Sequence, residues 1–265
     1  MPPIDSAAPA SFVSAGTSGD DAEASFVCVG VSFRTAALEV RERLSLGFDE
    51  AEVVLDELRE GGEVREAVWL STCHRLEVYA WLRGPGFGVS GTARETGGRR
   101  DLEDRVRRFV DGESPDEGGL DRVLGMFLRR PGISPKAVMR ALYAWEGEHA
   151  VLHLFRVASG LDSMVVGETE VLGQLKEAYE VALRHGHTGR GLNPLFQAAF
   201  QAAKQVRSET GVQRGSVSVA TLAASFAEAR LGDLDGRKAL VLGAGDTAAK
   251  VSQALIDRGV GEIRI

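Results

Sequence analysis

The segment LSTCHRLEVYA (70–80) sets Cys73 between small hydroxyls and a His–Arg pair, just ahead of an alternating strand pattern. A thiol there is a candidate nucleophile, because Arg75, His74 or an imported histidine can supply the charge or donors that favour a thiolate. Cys28 stands inside the apolar run FVCVGVSF (26–33) and reads as an inert core residue. A second polar set lies on EHAVLHLFRVASGLDS, where His149, His153 and Arg156 fall on one side of a helix that is otherwise apolar almost all round. Such a stripe is expected to face a cleft. Two histidines at this spacing also leave open a zinc site, with a third ligand from His74, Cys73 or Glu168. The third set is GAGDTA (243–248), a Gly-rich turn between strand and helix patterns. There Gly243 permits the tight turn, Gly245 lets backbone approach a pyrophosphate, and Ala248 lets helix and strand pack closely. Free N–H groups at the helix start favour phosphate.

The elements that must position these groups follow from patterning. Residues 1–24, rich in Ala, Ser, Gly, Pro and Asp without periodicity, are expected to be a disordered tail. FVCVGVSF predicts a buried strand, and Asp49 is expected to cap a helix over roughly 49–60. EAVWLS and LEVYAWL predict strands flanking TCHR, and the Gly-rich stretch 83–101 predicts a surface loop. From about 119 to 230 the pattern is mostly helical, broken at RRPGISP, RHGHTGRGLNP and TGVQRGS. KALVLGAG then predicts a strand, 246–258 a helix, and EIRI a second strand. Two strands of a doubly wound sheet cannot bury both faces, so the sequence reads as the front part of a longer protein. The expected fold class is α/β: an N-terminal α/β unit with long helices, followed by the beginning of a Rossmann-type unit.

Bulk properties bound the function. A chain of 265 residues, 44% hydrophobic, holds one or two ordinary globular domains. Its net charge of -7 argues against coating DNA, since affinity for a phosphate backbone comes from Lys and Arg displacing counterions. A local basic face remains open. Two cysteines are too few for a disulfide framework, and neither a signal peptide nor a long apolar run is present, so a cytoplasmic setting without membrane association is expected.

Four segments together, GVSFRTAALEVRERLSL, LSTCHRLEVY, HLFRVASGLDSMVVGETEVLGQLKEAY and FQAAFQAAKQVRSETGVQRGSVSVA, followed by VLGAG, resemble glutamyl-tRNA reductase in content and order. The resemblance spans roughly residues 26–265, apart from about 84–140. It implies an NADPH-dependent oxidoreductase that reduces the glutamyl ester of glutamyl-tRNA(Glu) to glutamate-1-semialdehyde through a cysteine thioester, the first step of tetrapyrrole synthesis from glutamate. It further implies a catalytic domain over 25–212 and an NADPH-binding domain from 213 to 265. A third, helical domain that makes a V-shaped homodimer in the family is not contained in this sequence. Glutamate-1-semialdehyde aminomutase is implied as a channelling partner.

Carried over residue by residue, the resemblance makes Cys73 the nucleophile and His153 the group assisting proton transfer. Thr72, Arg75 and Ser163 fall where glutamate recognition is expected, with His74 beside them. Arg75 suits this chemically because a guanidinium forks onto a carboxylate; its bland alternative is a surface ion pair with Glu77. Gly243, Ala244, Gly245, Asp246, Thr247 and Ala248 fall at the cofactor turn, while Gly167, Glu168 and Gln174 read as architectural. Three positions depart from the family pattern, His74 in place of its usual asparagine and Ser32-Phe33 in place of its usual Asn-His pair, and the stretch 83–101 is longer than the family's. Two other readings stand beside this one. A non-catalytic RNA-binding fragment would use Lys204, Arg207 and Arg214, and a metallohydrolase would use His149 and His153.

Overall fold

The β-branched run at the N-terminus becomes the strand around which everything else is arranged. In the computed structural model, described over residues 24–84, 86, 97–111, 118–168, 170–213 and 219–265, β1 (Ser25–Ser32) is an inner strand buried along nearly its whole length. It pairs antiparallel with β3 (Arg75–Leu82), from Ser25 opposite Leu82 to Ser32 opposite Arg75. β2 (Val64–Ser71) pairs with the other edge of β3, and a short β4 (Tyr143–Glu146) with β1, giving the order β2-β3-β1-β4. In a strand successive side chains alternate between faces, so each strand feeds two cores. Val27, Val29, Val31, Val78 and Ala80 enter one; Phe26, Cys28, Val68, Leu70 and Tyr79 enter the other.

Helices α1 (Leu38–Leu44), α2 (Phe48–Arg59), α3 (Gly97–Val110), α4 (Gly119–Leu128) and α5 (Pro135–Ala141) cover the first face. The second face is covered by α6 (Glu148–Ala158), α7 (Glu170–Arg184) and α8 (Leu192–Glu209). Helix α8 buries Leu192, Leu195, Phe196, Ala199 and Ala203, the spacing of one helical stripe. Each large aliphatic side chain so buried contributes about 1.5–3 kcal/mol.

The exposed edge of β2 is closed by the α7–α8 connection. Ala67 donates its N–H to the His187 carbonyl at 2.8 Å. The Glu66 carboxylate accepts from the N–H groups of Gly189 (2.7 Å), Gly191 (2.9 Å) and Leu192 (2.7 Å), capping the start of α8. A β-bulge between Val64 and Glu66 accompanies this clamp. After a 3-10 turn (Gly211–Gln213), α9 (Val219–Leu231), β5 (Lys238–Leu240), α10 (Asp246–Ile256) and β6 (Glu262–Arg264) form a small group in which β5 and β6 run parallel. That is a βαβ unit, with Ala220, Ala224 and Ala254 as its buried contacts.

The mixed α/β class expected from the sequence is the one observed, with four local corrections. Helix α2 starts at Phe48 with Gly47 as its N-cap, the Gly47 N–H donating to Glu50 at 3.1 Å, so Asp49 lies in the first turn rather than at the cap. Helix α3 begins inside the stretch expected to be a loop, and β4 interrupts the expected helical region. Leu152 of α6 is exposed, so that helix is less apolar all round than expected. The tail expected over 1–24 lies, apart from Ala24, outside the described residues.

Candidate functional site: a thiol over a buried charge network

The β2–β3 turn is held by Thr72. Its N–H donates to the Arg75 carbonyl at 2.9 Å, and its Oγ1 accepts from the N–H groups of His74 (3.2 Å) and Arg75 (3.1 Å). A hydroxyl that folds back on the next residues builds a turn in place of a longer loop. Cys73 sits exposed at the tip. Its carbonyl accepts from the guanidinium of Arg41, a buried residue of α1 that also reaches the Ala36 carbonyl at 3.4 Å. Cys73 is therefore an exposed residue, with a partly buried thiol, on a backbone fixed from both sides.

Directly after the turn the chain dives inward. Arg75, Glu77 and Tyr79 alternate along β3 and share the face that meets α6 to α8. Arg75 is 1% exposed, and it donates to Glu77 Oε1 at 2.8 Å, the Asp162 carbonyl at 2.5 Å and Asp162 Oδ2 at 3.1 Å. Glu77 is fully buried and is the hub. Its Oε2 accepts from Tyr79 at 2.5 Å, while Oε1 also accepts from Tyr143 and lies 2.7 Å from His153 Nε2. Burial by itself would raise the Glu77 pKa; the charges of His153 and Arg75, and hydrogen bonds from His153 and Tyr143, hold it well below the usual carboxylate range. Burial and the Glu77 carboxylate push both tyrosines up. For Arg75 burial works downward, but Glu77, both tyrosines and Asp162 leave it raised, so it stays a cation.

This placement corrects three expectations. The Arg75–Glu77 pair exists but is buried, not a surface pair, and its donors are already engaged. The polar stripe of α6 divides: His153 turns to Glu77, whereas His149 and Arg156 are exposed. Cys73 is not made acidic by its neighbours. Partial burial and the Glu168 charge raise its pKa, with a smaller push from Glu170, against the opposing effects of a backbone hydrogen bond and Arg41. Ser163 is buried next to Asp162, the residue that receives Arg75. His74 lies half-buried with its ring edge toward Phe33, centroids 6.1 Å apart. Thr72, Cys73, His74, Arg75 and, through Asp162, Ser163 are thus gathered at one end of the sheet.

Tyr79, Tyr143 and Asp162 were missed from sequence, and Glu77 was read only as an ion-pair partner of Arg75. The signal for Glu77 and Tyr79 was present, since Arg75, Glu77 and Tyr79 fall at alternate positions of one strand. Gly167 and Glu168 lead into α7 as expected: Gly167 has φ +85°, and a Cβ there would meet the Val212 carbonyl at 2.3 Å. Cys28, in the core, is pushed well up by burial. Among the described residues, the group whose ligand atoms lie within 4.8 Å of one another is Cys28, Glu77 and His153. A dication there would compete with every donor on Glu77 and sit against the Arg75 guanidinium, so this arrangement is a poor cation site. Lys204 is exposed on α8, Arg207 is half-buried, and Arg214 lies outside the described residues.

The Gly-rich turn leads from β5 into α10, with Gly245 as the N-cap. Gly243 has φ +121°, open to glycine alone, and Cβ atoms built at Gly243 and Gly245 meet nothing within 4 Å. Gly243, Ala244, Gly245 and Thr247 are exposed, Ala248 is half-buried, and Asp246 opens the helix. The open backbone and free helix start fit the pyrophosphate of a dinucleotide.

A helix-covered antiparallel sheet presenting a thiol on a strand turn, followed by a βαβ unit with a Gly-rich turn, defines a mixed α/β protein with a thiol-bearing N-terminal unit. Residues 29–210 match the family model described as glutamyl-tRNA(Glu) reductase, N-terminal domain. The chain belongs to the glutamyl-tRNA reductase family through that domain. It is 39% identical over 235 residues to glutamyl-tRNA reductase of Syntrophus aciditrophicus, covering 89% of this chain and 49% of that protein. It is 40% identical over 236 residues to that of Rubrobacter xylanophilus, covering 89% and 48%. The solved glutamyl-tRNA reductase from Methanopyrus kandleri superposes with a TM-score of 0.51 at 32% identity, covering 90% of this chain and 48% of that one. The chain spans about half the length of the relatives it matches. No described helix is long and apolar enough to cross a membrane.

Proposed function

We propose that this chain is the acyl-capturing part of a glutamyl-tRNA reductase, with residues 25–212 as the catalytic domain and 213–265 as the start of the NADPH-binding domain. Cys73 Sγ attacks the ester carbonyl of glutamyl-tRNA(Glu), the bond to the RNA hydroxyl breaks, and the glutamyl group is held as a thioester. The thiol proton must reach the leaving oxygen, and His153 is the residue assigned to move it. Its other ring nitrogen is left for that task by the bond from Nε2 to Glu77. Arg75, Thr72 and Ser163 define the glutamate end of the pocket, with His74 at its rim and Arg75 acting as a fixed positive charge beneath it. Gly243, Ala244, Gly245, Asp246, Thr247 and Ala248 would hold the pyrophosphate of NADPH, which when bound supplies the hydride that releases glutamate-1-semialdehyde. On the same family reading the complete protein is a cytoplasmic homodimer that feeds tetrapyrrole synthesis and passes its product to glutamate-1-semialdehyde aminomutase.

One observation carries the reading: within a chain of this family, Cys73 is the exposed cysteine, on a turn fixed by Thr72 and Arg41. Incubation with radiolabelled glutamyl-tRNA, acid quench and peptide mapping tests it. Hydroxylamine-labile label is expected on the Cys73 peptide and is expected to vanish in Cys73→Ser. Wild-type protein that takes up no such label would overturn the reading.

A further inference from the structure

Phe33 and His74 touch each other at the rim of the Cys73 turn. The Phe33 N–H donates to the His74 carbonyl at 2.7 Å, and their rings meet edge to face at 6.1 Å. The Arg34 guanidinium lies over the Phe33 ring, 4.9 Å from its centroid. Its side chain is 56% exposed, and its Nε is 3.6 Å from Oδ1 of Asp162, the carboxylate whose other oxygen holds Arg75. An aromatic ring, an imidazole and a solvent-facing guanidinium thus stand together at the turn that carries Cys73.

That combination is what proteins use to hold an unpaired nucleotide. Aromatic faces and guanidinium planes stack on bases regardless of sequence, and arginine forks onto phosphate. Geometry brings a nucleotide here on the reading proposed above. The ester that Cys73 attacks is carried on the terminal ribose of the RNA, so once its carbonyl meets Sγ the attached base and phosphate must lie against the surface next to Cys73. Arg75 cannot serve them, because it is buried and engaged by Glu77 and Asp162. Arg34 is the cation tethered to the same Asp162 from the solvent side.

We propose that Phe33, Arg34 and His74 form the seat of the 3′-terminal nucleotide of the acylated RNA. The base stacks on Phe33 with His74 at its edge, and Arg34 moves from the ring to the adjoining phosphate. The inference rests on Cys73 accepting the acyl group, and the test separates the two. Acyl transfer to Cys73 is measured in the full chain from glutamyl-tRNA and from a small glutamyl thioester lacking any nucleotide. Phe33→Ala and Arg34→Ala are each expected to lower the RNA-to-small-substrate efficiency ratio about tenfold, the scale of one lost base stack or phosphate contact. Phe33→Tyr, which keeps a ring, is expected to restore the ratio. A ratio unchanged in both alanine variants overturns the seat, and so does an equal loss on both substrates, which would assign these residues to holding the turn. Failure of the unmodified chain to accept an acyl group from either substrate would instead overturn the role of Cys73.

Discussion

Nε2 of His153 on α6 lies 2.7 Å from Oε1 of Glu77 on β3, joining a helix to the middle of the sheet beneath the thiol turn. Glu77 also takes Arg75, Tyr79 and Tyr143, so a single carboxylate sets the position of four side chains from three elements. Replacing it by Gln keeps the shape and removes the charge, leaving Arg75 with Asp162 alone. Breaking one partner of a buried pair costs about 3–5 kcal/mol, and Glu77→Gln is expected to lose that much in urea unfolding.

The same carboxylate predicts an acid limit. A Glu whose folded pKa is depressed stabilises the fold fully above its unfolded value, about 4.3, and loses that contribution as pH falls toward the folded value. The stability gap between wild type and Glu77→Gln should therefore be widest at neutral pH and narrow below about pH 4.3. A gap independent of pH down to acid unfolding would refute this account.

Glu168 acts on the thiol through charge. Because its carboxylate raises the Cys73 pKa, Glu168→Gln is expected to shift the pH midpoint of iodoacetamide alkylation downward and speed labelling at fixed pH. Cys28, buried in the core, does not contribute to the early rate. An unchanged or upward midpoint would show that burial alone controls the thiol.

Glu66 holds three backbone N–H groups at the start of α8. Glu66→Ala leaves all three N–H donors without their carboxylate acceptor, and about 2–4 kcal/mol of stability is expected to be lost. Hydrogen exchange should show the amides of Gly189, Gly191 and Leu192 losing protection before the sheet does. Uniform loss over the whole chain would mean the clamp is no separate unit.

Gly30 faces Glu77 across β1 and β3. A Cβ at that position would lie 2.4 Å from the Leu76 carbonyl oxygen and 2.8 Å from Glu77 Cγ, and neither can move without disturbing the ladder. Gly30→Ala is expected to cost about 3 kcal/mol or more in thermal or urea unfolding. A near-neutral result would show that the strands can separate locally at no cost.

Much of the fold was readable from local pattern. The strands around TCHR, the breaks between long helices and the βαβ pattern at the Gly-rich turn depend on periods of two and 3.6 residues, which sequence displays directly. Short elements were missed where that signal is thin. Tyr143–Glu146 is four residues long and is a strand because β1 offers it an edge. Helix α3 starts among Gly and Arg residues with no apolar stripe until Leu102 and Val106 reach the core.

For the site, sequence by itself determined that a cysteine stands between two strands, that a Gly-rich turn opens a helix, and which family these motifs belong to. It did not determine where Arg75 points or what Glu77 is for. Those were decided when α6, β4 and the Asp162 segment packed onto the β3 face, bringing His153, Tyr143 and Asp162 to residues far away in the chain. The physical reason is burial: a charged side chain removed from water must find its counter-charges and donors in the folded chain, and their identity depends on which elements cover that face.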